Sequence, residues 1–156
     1  MNDFLCSDEV ATYEKQKVGR TTLVYHQGRL VAYYTISNDQ LRTEYVKKHT
    51  GFSLPNEMRL EGIPAITIGR LAVSKEWQKR GLGTAIIQKI AMYALHCSTQ
   101  SGIRLLLVRA KKNAFGFYEK MGFQYVIETR REKQRIQNYG TKTMFFDLKT
   151  LSDLES

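Results

Sequence analysis

Two cysteines, two prolines and one tryptophan in 156 residues leave little for a covalently stapled architecture. Cys6 and Cys97 are too few for a disulfide framework, and no CxxC pair or histidine cluster offers a metal-ligand set. No apolar run is long enough to cross a bilayer. The first residues, MNDFLCSDEV, are acidic and poor in apolar side chains, unlike a secretory signal. These absences describe a cytoplasmic chain without metal or membrane anchor. Acidic residues are scarce too: 15 Asp and Glu against 24 Lys and Arg leave a net charge of +9. The surplus sits in the second half, where 104–142 carries ten Lys or Arg against three Glu. Such a surface either steers an anionic partner, nucleic acid among them, or is a solvated basic face. With 42% hydrophobic residues and no repeat or low-complexity stretch, 1–156 reads as one domain.

The chain is organised around Ile63 to Gly83, IPAITIGRLAVSKEWQKRGLG. Ile66, Ile68, Leu71 and Val73 give a strand bounded by Pro64 and by Ser74-Lys75. From Gly81 the period changes: Leu82, Ala85, Ile86, Ile90, Tyr93, Ala94 and Cys97 fall on one face of a helix, with Cys97 an inert buried thiol. The join, Gln78-Lys79-Arg80-Gly81-Leu82-Gly83-Thr84, has a chemical meaning. The first N–H groups of a helix lack partners and carry partial positive charge. Gly81 and Gly83 let an anion approach the backbone, and Lys79 and Arg80 add full charges. The spacing is neither that of a P-loop nor that of a dinucleotide fingerprint, and the choice lies between a pyrophosphate cradle and a plain basic helix start.

The pattern Gln78-x-x-Gly81-x-Gly83 after a strand resembles motif A of the GNAT acetyltransferases, and AFGFYEKMGF at Ala114–Phe123 is similar to a second segment of that family. The likeness is strong over 63–148 and loose before it. It implies a GNAT fold of the α/β (α+β) class, with a mixed twisted sheet of about six to seven strands flanked by about four helices. It also implies acetyl-CoA as cosubstrate. Backbone groups of Leu71, Ala72 and Val73 would pair with the pantetheine arm like an added strand. Those of Arg80 to Thr84, including Leu82, would hold the pyrophosphate, beside Gln78 and Lys79. Lys111 stands where the family often has Asn, with Asn113 out of register. Tyr118 takes the place of the family's general acid; the competing reading is an aromatic pair packing a helix on the sheet. Phe115, Phe117 and Phe123 read as core.

The remaining elements follow from local pattern. Residues 1–17 read as helix, capped by Ser7-Asp8-Glu9; Thr21–Tyr25 and Arg29–Ser37 form a hairpin through His26-Gln27-Gly28, with His26 solvated. A short helix near 40–49 precedes a loop to 62 that would lie over the acceptor side. Ser101-Gly102 caps the central helix, and Arg104–Ala110 is a buried parallel strand. Residues 112–121 form a helix; Phe123–Glu128 and Thr143–Leu148 form strands around a charged loop or hairpin tip at 129–135.

No residue stands out as a general base. Glu44, Glu57 and Glu61 lie in the variable region, and His49 and His96 have no nameable partner. An α-amine, with pKa near 8, needs far less help than a lysine near 10.4. Within the family, Gly69–Val73, Val108–Ala110, FYEKMGF, Phe4-Leu5 and the TTLVY…GRLVAYYTIS hairpin look most like the tRNA-acetylating toxins. That branch implies aminoacyl-tRNA as acceptor, an antitoxin partner and, from family habit, a homodimer. Arg70, Arg104, Arg109 and the 130–135 cluster are then candidates for phosphate contact. A small amine or protein N-terminus as acceptor, or a non-enzymatic CoA- or RNA-binding module on the same fold, stays open.

Overall fold

The computed structural model describes residues 2–6 and 8–155, so Ser7, one of the expected capping residues, lies outside them. Asn2–Leu5 and Asp8–Lys15 are short helices, α1 and α2. Strands β1 (Arg20–His26) and β2 (Arg29–Arg42) close a hairpin over Gln27 and Gly28, whose φ values of 47° and 73° match the twist of the flanking strands. His26 at its end lies against the Trp77 ring, centroids 4.7 Å apart. β2 runs past Ser37 because Asn38 to Arg42 stay paired with Ile66 to Gly62 of β3 (Gly62–Val73). Long-range pairing thus overrides polar local composition. The helix expected at 40–49 shrinks to one 3₁₀ turn, Thr43–Tyr45.

Helix α3 (Leu82–Ser98) buries Ile86, Ile87, Ile90, Ala91 and Ala94. Its buried stripe is therefore rotated from the expected one: Ala85 and Tyr93 are exposed and Cys97 is half-buried. It ends on Thr99 in helical conformation rather than on a left-handed Gly102. The Ser98 and Thr99 hydroxyls donate to the carbonyls of Leu95 and His96, at 2.6 and 2.7 Å, doing what the glycine cap was expected to do.

β4 (Leu105–Lys111) follows, then a 3₁₀ turn at Lys112–Ala114, α4 (Phe115–Lys120), β5 (Gln124–Tyr125), α5 (Arg130–Tyr139), β6 (Thr141–Asp147) and α6 (Lys149–Glu155). The described residues form a six-stranded sheet in the order β1-β2-β3-β4-β6-β5, with β3 and β4 parallel and the other pairs antiparallel. This is the mixed α+β architecture expected, with six helices instead of about four.

One of the added helices, α5, carries its own start and stop signals. Residues 129–135 are no loop: Thr129 Oγ1 accepts the Glu132 N–H at 3.2 Å, and left-handed Gly140 closes α5. This is half of a capping box, T-x-x-E. The strand expected over Phe123–Glu128 stops at Tyr125, since the Ile127 N–H turns to the Tyr45 carbonyl. Beyond it the buried Glu132 carboxylate accepts the Thr143 N–H, and the Thr143 hydroxyl at 3.0 Å, where β5 would have continued. At the opposite edge, Glu14 of α2 accepts the Thr21 N–H of β1 at 3.1 Å.

The sheet has an apolar layer on each face. Against α3 and α4 lie Ile66, Ile68, Leu106, Val108 and Met144; the other face holds Ile63, Leu105, Leu107 and Phe145 under Val46 and Phe52. The His49 ring stands edge-on to Phe145 at 5.0 Å. Arg104 serves this layer instead of a phosphate: it pairs with Asp147 through two bonds of 2.5 and 2.8 Å, donates to the Ser53 carbonyl and covers the Phe52 ring.

The central strand carries one irregularity. Thr35 pairs with Arg70 but Ile36 pairs with Ile68, which leaves Gly69 as an extra residue in β3. A Cβ on Gly69 would come within 3.0 Å of Thr35 Oγ1. Gly69→Ala is therefore expected to cost about 1–2 kcal/mol in denaturant unfolding. Thr35→Ala should recover most of that loss in the double variant, and a purely additive cycle would contradict the close approach.

Candidate active site

β3 and β4 pair from Ala65–Leu105 to Ile68–Val108 and then part, at the Gly69 bulge. From Gly69 to Val73 one edge of β3 stays on β2 and the other has no strand. The gap is a cleft of about 670 Å³, with Leu71 and Val73 on one wall, Ala110 and Lys111 on the other, and the start of α3 at one end.

The loop into α3 leaves backbone donors at an uncapped helix start. Lys79 and Gly81 both have positive φ, 59° and 84°, on either side of Arg80. Nothing lies within 4 Å of a Cβ on Gly81, so its conformation, not space, calls for glycine there. No side chain caps α3, and the first helical bond runs from the Ala85 N–H to the Gly81 carbonyl. The N–H groups of Leu82, Gly83 and Thr84 are thus left at the positive end of a 17-residue helix. A Cβ on Gly83 would rest against the Phe117 ring at 3.4 Å, an ordinary contact that leaves little room for anything longer.

Of the residues singled out by sequence, Leu71, Val73, Gln78, Lys79, Gly81, Gly83, Thr84, Lys111 and Tyr118 line the cleft. Ala72, Arg80 and Leu82 are not among its lining side chains: Leu82 packs on the core, and Arg80 lies over the Trp77 ring at 4.3 Å. Gln78 donates through Nε2 to the Val73 carbonyl at 2.9 Å, fastening the loop to the strand end. Further lining residues that the sequence did not mark as site residues include Tyr33, Trp77, Asn113 and Phe117. A 3₁₀ turn restores Asn113 to the cleft despite its register, and a lone tryptophan between strand and glycine loop was the available signal for Trp77.

The lining charge has one sign. Arg70, Lys79, Arg109 and Lys111 face the cleft, and among the described residues no Asp, Glu or His does. Arg70 is held 3.7 Å from Glu9 and 3.9 Å over the Phe4 ring; Arg109 has no ion pair or hydrogen bond among the described residues. Glu44, Glu57 and Glu61 are exposed outside the lining.

Tyr118 is buried, its ring edge-on to Phe117 and Phe123 at 5.0 and 5.3 Å. Its hydroxyl has no hydrogen-bond partner among the described residues. Burial pushes the phenol up to about 12, so at neutral pH it is a proton donor facing the cleft. The ring is the packed aromatic pair expected as the competing reading, and that packing leaves the hydroxyl without a partner among the described residues.

A parted parallel pair beside an uncapped, glycine-opened helix start suits a group-transfer enzyme whose donor carries a pyrophosphate and an extended arm. The acetyltransferase (GNAT) domain family matches residues 10–125, and the chain belongs to that family. It is an N-acetyltransferase using acetyl-CoA as cosubstrate. Among solved structures it is similar to AtaT complexed with acetyl-methionyl-tRNAfMet, at 21% identity over 99% of this chain and 85% of that one, TM-score 0.79. A Tyr-to-Phe mutant of KacT is similar at 22% identity over 98% and 84%, TM-score 0.77. A mutant AtaT toxin bound to the C-terminus of the antitoxin AtaR and acetyl-CoA gives 20% over 94% and 79%, TM-score 0.67. The free β3 edge, the unpaired N–H groups and the absence of lining carboxylates fit acetyl-CoA. Among the described residues no group of three or more His, Cys, Asp or Glu is placed to hold a metal, and no helix is long and apolar enough to cross a membrane.

Gly83→Glu sets a carboxylate among the free N–H groups and crowds Phe117, and should abolish acetyl-CoA binding in calorimetry; wild-type affinity would put the phosphates elsewhere. The Tyr118 pKa is open to near-ultraviolet titration of wild type against Tyr118→Phe. The difference should show no step at pH 10 and rise only on approach to about 12. Because the folded chain holds this proton more tightly, its contribution to stability is complete below pH 10 and lost between 10 and 12.

Proposed function

We propose that the chain moves an acetyl group directly from acetyl-CoA to the α-amine of an aminoacyl-tRNA. Acetyl-CoA supplies the activated thioester. The N–H groups of Arg80 to Thr84, with Lys79, bind the pyrophosphate, and Lys111 adds charge to the opposite wall. The backbone of Leu71, Ala72 and Val73 aligns the arm as an added strand; since the Val73 carbonyl is taken by Gln78, this residue contributes its N–H. The same edge donates to the carbonyl oxygen as the amine nitrogen attacks. Tyr118 gives its hydroxyl proton to the departing sulfur as the C–S bond breaks, and the amine proton leaves to water.

The observation that carries the acceptor is the lining itself: beyond Lys79 and Lys111 it holds Arg70 and Arg109, with no carboxylate or imidazole among the described residues. A site without a base suits an amine that sheds its proton near neutrality, and a cationic one suits an amine borne by a polyanion. AtaT complexed with acetyl-methionyl-tRNAfMet supports this reading from a protein of like fold. A toxin-like role with an antitoxin partner, a homodimer and a cytoplasmic site belong to the same proposal, as does a single domain over 1–156.

The test is transfer of labelled acetyl to bulk charged tRNA beside deacylated tRNA, polyamines and peptides. RNase-sensitive label on the charged pool is the expected result. Label only on small amines or peptides would replace the acceptor, and none anywhere with CoA bound would favour the non-enzymatic module. Tyr118→Phe should lower turnover on the order of 100-fold with acetyl-CoA affinity kept.

A further inference from the structure

A second cavity, of about 880 Å³, lies away from the cleft on the α3 side of the sheet. α3 covers β3 and β4 there, and the faces of β1 and β2 beside it form the floor with Ile66 and Ile90, both almost fully buried. Cations edge it from three elements: Lys17 after α2, Arg20 on β1 and Lys89 on α3. None of these side chains makes an ion pair or hydrogen bond among the described residues. The lone lining acid, Glu14, already accepts the Thr21 N–H.

Tyr34 supplies an independent sign of a ligand. It is only 7% exposed, yet its hydroxyl has no partner among the described residues. No buried side-chain oxygen is left unsatisfied among them, so that hydroxyl must open onto accessible space, and Tyr34 lines this cavity. The half-exposed ring of Tyr93 forms part of the wall.

We propose that this cavity is a second binding site, taking a small amphipathic organic anion: an apolar ring or short acyl body with a terminal carboxylate or phosphate. The apolar floor takes the body, Tyr34 donates to its polar group, and Lys17, Arg20 and Lys89 hold the charge. A second copy of this chain is a poor occupant, since each carries +9 and would set cation against cation. The site stands independently of the acetyl acceptor, because none of its lining residues lines the catalytic cleft.

The probe is anilinonaphthalene sulfonate, an apolar ring system with one anionic group, titrated with acetyl-CoA saturating the cleft. The expected result is a fluorescence rise that saturates at one site. Arg20→Glu with Lys89→Glu should weaken it by about tenfold or more, and Tyr34→Phe, which keeps the ring, by about threefold. Acetyl-CoA binding should be unchanged in all of these variants, which also reports that they fold. Displacement by dodecanoate, indole acetate or AMP then separates acyl, aromatic and phosphate sources. No rise with the cleft filled, or a rise indifferent to these variants, overturns the proposal. So does displacement by an acidic peptide alone, which would make the cavity a protein-docking face.

Discussion

The structure depends on one interruption of a hydrogen-bonded ladder. Two parallel strands pair over four residues and then separate because β3 carries an extra residue at Gly69. The bulge bends the strand without ending it, so β3 keeps β2 along one edge while the other is freed. Buried, unpaired backbone groups are normally costly. Here they open onto a cleft, where water or a ligand can satisfy them. Glycine suits the position because a methyl group there would press on the Thr35 hydroxyl.

The end of the cleft is held by two contacts around the start of α3. Phe117 of α4 fills the space that Gly83 leaves, so the start of α3 and the turn carrying Tyr118 share one packing unit. Gln78 ties the loop back to Val73. The glycine loop and Tyr118 are thereby held in place around the cleft by packing and one side-chain hydrogen bond.

Much of this was legible in the sequence, and for physical reasons. The strand–glycine loop–helix join and the FYEKMGF segment announce themselves because their chemistry depends on residue type at fixed spacing. The cleft followed from them. What escaped was decided by distant partners. Asn38 to Arg42 look like loop until β3 is beside them, and Arg104 looks like a phosphate ligand until Asp147 claims it. Glu132 looked like one charge among many, though with Thr129 it spelled a helix start. Arg70 and Arg109 were noticed for their charge, but no sequence pattern says that the strand pair opens between them.

Glu132 and Glu14 share a further consequence. A sheet is a template that can go on adding strands until something stops it. At each outer edge a carboxylate from a neighbouring helix occupies an amide that an incoming strand would use: Thr143 on β6 where β5 gives out, and Thr21 on β1. In a chain so poor in acidic residues, two are placed as terminators. Each carboxylate blocks one amide at which an added strand would have to begin its ladder, so pairing is discouraged there by the protein's own side chains.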